Sequence, residues 1–203
     1  MMSFRKCKLA IAAIWLLCAL AFSLGHLMKG AATSAGANHL SAAAQVKEIA
    51  GYKNWTKVNA VPQLMPERVA TDCAMVMSPR GMIVNGPDNP HRDKYFTVYV
   101  NDLGRAAMLN EKNPKFPAGS IIVKEKLADR ESSAPELLTV MIKREKGFNR
   151  ASGDWEYMVL DGAGTKIEGR GQLQNCQACH LANPKTDYVF RTYLPYDVRN
   201  SLK

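Results

Sequence analysis

The chain has 203 residues, 47% hydrophobic and 22% charged, with 27 Lys and Arg against 18 Asp and Glu for a formal net charge of +9. That is enough chain for one domain with an ample core. The basic excess does not point to nucleic acid, because no basic run is interleaved with stacking aromatics.

Arg5, Lys6 and Lys8 lead into an apolar run from Leu9 to about Leu24, and no acid precedes Glu48. The run is shorter than the ~20 residues that span a bilayer comfortably. Ala35-Gly36-Ala37 then offers a small-residue cleavage site before Asn38. Residues 1–37 therefore read as an export signal peptide and 38–203 as the mature domain, delivered to the periplasm. His26, Leu27 and Met28 extend the apolar stretch, so an uncleaved anchor is the alternative, with the body exported either way. Removing 1–37 takes Arg5, Lys6, Lys8 and Lys29 and no acid. That leaves 27 less 4 basic residues against 18 acids, or +5. This mild excess suits the steering of anionic partners or of an acidic periplasmic redox protein.

In the body, Leu40, Ala43, Ala44, Val46, Ile49 and Ala50 recur at helical spacing, with Gly51 placed to stop the helix. Residues 52–66 read as ordered loop with one short turn, and the proline-rich residues 78–94 as a long loop. The period then changes to two. Phe96, Val98 and Val100 alternate with Thr97, Tyr99 and Asn101 in a strand. Asp102 is placed to cap a helix carrying Leu103, Ala106, Ala107 and Leu109, which ends before Asn113-Pro114. Strands follow over 119–125 and 136–144, the second with Leu138, Val140 and Ile142 on one face. Residues 155–160 and 166–172 flank Asp161-Gly162-Ala163-Gly164 as a hairpin. The expected fold is α+β, mainly antiparallel sheet of four or five strands with two or three helices.

Near the C-terminus stands Cys176-Gln177-Ala178-Cys179-His180. C-x-x-C-H is the pattern of covalent haem c attachment: two thiols form thioethers to the haem vinyl groups, and the histidine becomes the proximal iron ligand. One short helical turn suffices to bring both sulfurs and the imidazole to one side. A zinc site needs two further ligands, and Cys73, His39 and His91 stand at no recognisable spacing for it. Cys7 and Cys18 leave with the signal, and Cys73 reads as a small buried hydrophobe. Met75, Met77, Met82, Met108, Met141 and Met158 read as core filler. If one of them ligated iron, the protein would be a six-coordinate electron carrier. Trp55, Trp155 and Tyr99 read as core. Arg191, Tyr193 and Tyr196 are candidates to pack on the haem edge or pair with a propionate.

Several segments in order resemble the cytochrome P-460 and cytochrome c′-beta family. They are Tyr52-Lys53-Asn54-Trp55, Thr97-Val98-Tyr99-Val100, Lys115-Phe116-Pro117-Ala118-Gly119 and Val123-Lys124-Glu125. Gly153-Asp154-Trp155, the Cys176–His180 motif and Lys185-Thr186-Asp187-Tyr188-Val189-Phe190 complete the set. The resemblance implies a β-rich domain with one haem c, an open iron site and a homodimeric state. Its P-460 members oxidise hydroxylamine to nitric oxide or nitrous oxide, whereas its c′-beta members bind nitric oxide without turnover. It further implies that Lys124 is the lysine joined to the haem macrocycle in P-460 members, the other reading being a solvated strand lysine like Lys126. Phe96 stands where hydroxylamine oxidisers carry an arginine. Thr139 lies near the place of a distal glutamate, with no acid within two residues of it. A phenylalanine over the iron is what a gas-binding pocket would use, so Lys124 and Phe96 point to different members.

Overall fold

The computed structural model describes residues 41–71 and 92–203. The segment expected as an export signal, His39, Cys73, His91, Met75, Met77, Met82 and most of the loop expected over 78–94 lie outside the described residues.

Five strands run as an antiparallel meander: β3 (Tyr95–Val100), β4 (Ile121–Leu127), β5 (Leu137–Lys143), β6 (Trp155–Asp161) and β7 (Ile167–Gly171). Two two-residue strands, β1 (Thr56–Lys57) and β2 (Gln63–Leu64), both pair with the outer edge of β3. The expected loop over 52–66 is thus partly sheet. Asn59 explains why so irregular a segment can dock there. Its buried side chain accepts from Val98 N–H at 2.8 Å and donates to the Phe96 carbonyl at 3.1 Å. One side-chain amide replaces the backbone ladder that β1 and β2 leave open.

The period of two separates the faces of this sheet. Registers align Val98, Lys124, Thr139 and Val159 in one row, with Val100, Ile122, Met141 and Tyr157 in the next. Val98, Val100, Ile122, Met141, Tyr157 and Trp155 enter the front core. Tyr99, Val123, Leu138, Val140, Ile142 and Leu160 form the back core with Ile49 and Tyr52. The helix α1 (Ala42–Ile49), capped by Ser41, supplies Ile49 there. Gly51 sits at φ −87°, so α1 ends by passing into a 3-10 turn over Tyr52–Asn54, without a left-handed glycine cap.

The second helix, α2 (Asp102–Leu109), begins one residue earlier than expected. Asn101, not Asp102, is its cap: the Asn101 side-chain oxygen accepts from Gly104 N–H at 3.2 Å and from Ile121 N–H at 3.0 Å. One amide therefore ties the helix start to β4. Gly104 permits this approach, since a Cβ there would lie 2.8 Å from Val100 Cγ2 and 3.2 Å from Ser120 Cβ. The strand expected from Gly119 starts at Ile121 instead, because Gly119 turns at φ +86° and Ser120 closes a turn onto the Pro117 carbonyl. Beyond β7, the chain makes α3 (Gln174–His180) and, near the terminus, α4 (Tyr196–Ser201). The architecture is α+β and mainly antiparallel sheet, as expected.

Candidate functional site

Helix α3 places Cys176 and Cys179 almost one turn apart, with His180 next along the chain. All three line a cavity of about 250 Å³ against the front of the sheet. Both cysteines are half-buried. The His180 ring stands 5.4 Å from Tyr157 and 5.0 Å from Phe190. Its Nδ1 lies 2.7 Å from the Tyr188 carbonyl oxygen. A carbonyl only accepts, so Nδ1 carries the hydrogen and Nε2 keeps a lone pair. Burial pushes the imidazole down to about 4, against the Tyr188 hydrogen bond and with added repulsion from Lys124. His180 is therefore neutral at pH 7, the form that binds a metal.

Lys124, Phe96 and Thr139 also line this cavity. Lys124 Nζ sits 5.0 Å from the Phe96 ring centroid and donates to Met65 Sδ at 3.6 Å. Thr139 is the direct cross-strand partner of Lys124. The residues singled out in the sequence thus converge: the C-x-x-C-H triplet from α3, and Phe96, Lys124 and Thr139 from three adjacent strands.

Sequence reasoning missed four contributors. Lys126 is no solvated strand lysine: it lines the cavity, and burial lowers its ammonium despite Glu136. Its Nζ lies 3.7 Å from Glu136 Oε2, while Glu136 Oε1 takes a 2.6 Å bond from Lys94. The signal for Lys126 was available, since it shares the parity of Lys124. Tyr157 was legible by the same alternation from Trp155. Its hydroxyl is buried, and burial pushes it up to about 12 against the opposing influence of Ser152 beside it. Met65 lies between β2 and Pro66, where no periodicity speaks for it. Tyr188 acts through a backbone carbonyl and has no side-chain signal at all.

The residues after the triplet divide. Tyr193 lines the cavity edge-on to Phe96, with ring centroids 5.7 Å apart. Arg191 turns away, its guanidinium donating twice to the Met108 carbonyl. Tyr196 is largely exposed.

A family model described as Cytochrome P460 matches residues 49–191. The chain belongs to that family. No curated protein matches it. Membership makes the protein a cytochrome of the c type with haem as its cofactor. The residues present fit that group. Two thiols and an imidazole with a bare nitrogen share one helix, and the cavity walls are mostly apolar.

Proposed function

We propose that the protein is an exported mono-haem cytochrome that oxidises hydroxylamine, with nitric oxide or nitrous oxide as product. Cys176 and Cys179 would hold one covalently attached haem, and His180 Nε2 would ligate its iron. Haem bound there supplies the redox-active iron, and electrons leave to a periplasmic acceptor protein. The observation that carries this reading is that Lys124 Nζ lines the same cavity as the C-x-x-C-H triplet, in contact with Met65 and Phe96. A solvated lysine would reach past the end of the strand into water, because the opposite face of β4 is the closed back core. In the cavity it stands where attachment to the macrocycle is feasible.

The walls admit small neutral molecules and disfavour anions unless a cation meets them. Hydroxylamine is such a molecule. Its oxidation releases protons as well as electrons, so a titratable group at the wall is needed. Burial lowers the Lys126 ammonium, so more of it is neutral and free to take a proton than in an ordinary lysine, and Glu136 lies 3.7 Å beyond it toward the surface. That pair takes the place of an acid near Thr139.

A gas-binding role without turnover is the second reading. It is favoured by Phe96, whose buried ring forms part of an apolar wall, and by the lack of a carboxylate in the Val98–Lys124–Thr139–Val159 row. Two measurements divide the readings. Tryptic mapping of the haem-loaded protein should find the Lys124 peptide attached to haem, and Lys124→Ala should move the main ferrous absorption band toward that of ordinary haem c. Stopped-flow mixing with hydroxylamine and an oxidant should give turnover. An unmodified Lys124 peptide, with nitric oxide binding and no turnover, would establish the gas-binding reading.

A further inference from the structure

Three segments singled out in the sequence lie around Phe116, Gly153-Asp154-Trp155 and 185–190, the last of which supplies the Tyr188 carbonyl to His180. They meet at one residue. Asp187, 4% exposed, takes a 3.0 Å hydrogen bond from Phe116 N–H and a 2.6 Å ion-paired bond from Lys143 Nζ, both on Oδ2. Its own carbonyl accepts from Trp155 Nε1 at 2.7 Å. Lys143 lies across the Trp155 ring at 5.0 Å, so the cation is held from two sides. Asp187 and Tyr188 both adopt left-handed backbone, at φ 53° and 65°. Two consecutive non-glycine residues persist there only where the surroundings over-determine them. Gly153 completes the enclosure, because a Cβ on it would lie 2.6 Å from Tyr188 Cδ2 and 3.0 Å from Asp187 Oδ1.

The consequence lies one peptide further on. The carbonyl of Tyr188, aimed by this corner, is the acceptor for His180 Nδ1. A histidine ligand's donor strength follows the hydrogen bond on its other nitrogen. We infer that Asp187 is a positioning residue: pinned by Lys143, Trp155 and Phe116, it holds the Tyr188 carbonyl on His180 Nδ1 and thereby sets the donor strength of His180 toward iron. This rests on the reading of His180 as the axial ligand. The corner keeps the imidazole electron-rich, which favours ferric iron and strengthens the iron–histidine bond.

The test uses the haem-loaded full protein. Asp187→Asn preserves size and an acceptor for Phe116 N–H but removes the charge that binds Lys143. Lys143→Gln leaves Asp187 and its backbone bonds in place, so it decides the matter even if Asp187→Asn does not fold. Both variants should raise the reduction potential and lower the ferrous iron–histidine stretching frequency in resonance Raman spectra. Lys143→Arg should restore both toward wild type. A merely structural corner would lower the melting temperature and move neither quantity. Wild-type potential and frequency in Lys143→Gln would overturn the proposal. His180→Ala separates the two failures. If it leaves the ferrous spectrum native, the ligand reading falls. If it abolishes the iron–histidine band while Lys143→Gln does not shift it, only the positioning role falls.

Discussion

The two faces of the sheet are made by the same strands at alternate positions, and they solve opposite problems. On the back face, α1 and Tyr52 close over Leu138, Val140, Ile142 and Leu160, and little is left open. Its charges are neutralised within reach. Glu125 accepts a 2.5 Å bond from the Tyr52 hydroxyl and pairs with Lys53 at 3.3 Å. Burial and that carboxylate push the Tyr52 hydroxyl up, so it remains a donor. On the front face, one residue away, Lys124 and Lys126 point into a cavity that the protein does not fill with side chains. The contrast teaches that this sheet separates stability from chemistry by parity. Odd and even positions of β4 belong to different functions, and a one-residue slip would exchange them.

That separation can be broken or sharpened experimentally. The largest effect belongs to the back core. Leu160 is fully buried there, so Leu160→Ala should destabilise by ~2–5 kcal/mol in denaturant titrations. The absorption spectrum of the haem-loaded protein should stay native; a shifted spectrum would show that the faces are coupled. A smaller effect is expected at Glu125, next to Lys124. Glu125→Leu leaves the buried Tyr52 hydroxyl without its acceptor, a loss of ~1–3 kcal/mol. It too should leave the spectrum alone, unlike substitution of the neighbouring Lys124.

The smallest effect is pH-dependent and lies at the back-face edge. Burial alone would raise the Glu156 carboxyl, but hydrogen bonds from Arg170 and Arg144 outweigh it and hold the group below its ordinary value of 4.5. Its contribution is therefore complete above that value. As pH falls below it, the unfolded state takes the proton first, and stability is lost until the folded carboxyl is protonated too. Denaturant midpoints measured from neutral to acid pH should show a flatter acid arm in Glu156→Gln than in wild type. Identical slopes would mean that the two arginines do not hold this carboxylate.

Much of this was legible in the residues. Alternation of Phe96, Val98 and Val100, and of Leu138, Val140 and Ile142, gave away the strands because a half-buried sheet must alternate. The same alternation contains Lys126, although a lysine near a strand end ordinarily reads as solvated. The edge strands β1 and β2 were not legible. They depend on Asn59 reaching Phe96 and Val98 across 37 and 39 residues of chain. The helix cap is ambiguous in the sequence because Asp102 and its neighbour Asn101 are both good caps, and the bonds from Gly104 and Ile121 N–H to Asn101 decide between them.

By itself, then, the sequence determined what short-range geometry controls: where the main strands lie, and the triplet of thiols and imidazole at Cys176, Cys179 and His180. Those residues are covalent neighbours within two helical turns, so almost any folded context keeps them together. Tertiary structure decided what faces them and what stands behind them. Lys124, Lys126 and Met65 reach the cavity only through strand register and loop closure. The Tyr188 carbonyl reaches His180 only because Asp187 is held by Phe116, 71 residues away, and by Lys143, 44 residues away. Such contacts arise from packing between distant segments, which no local pattern of residue types encodes.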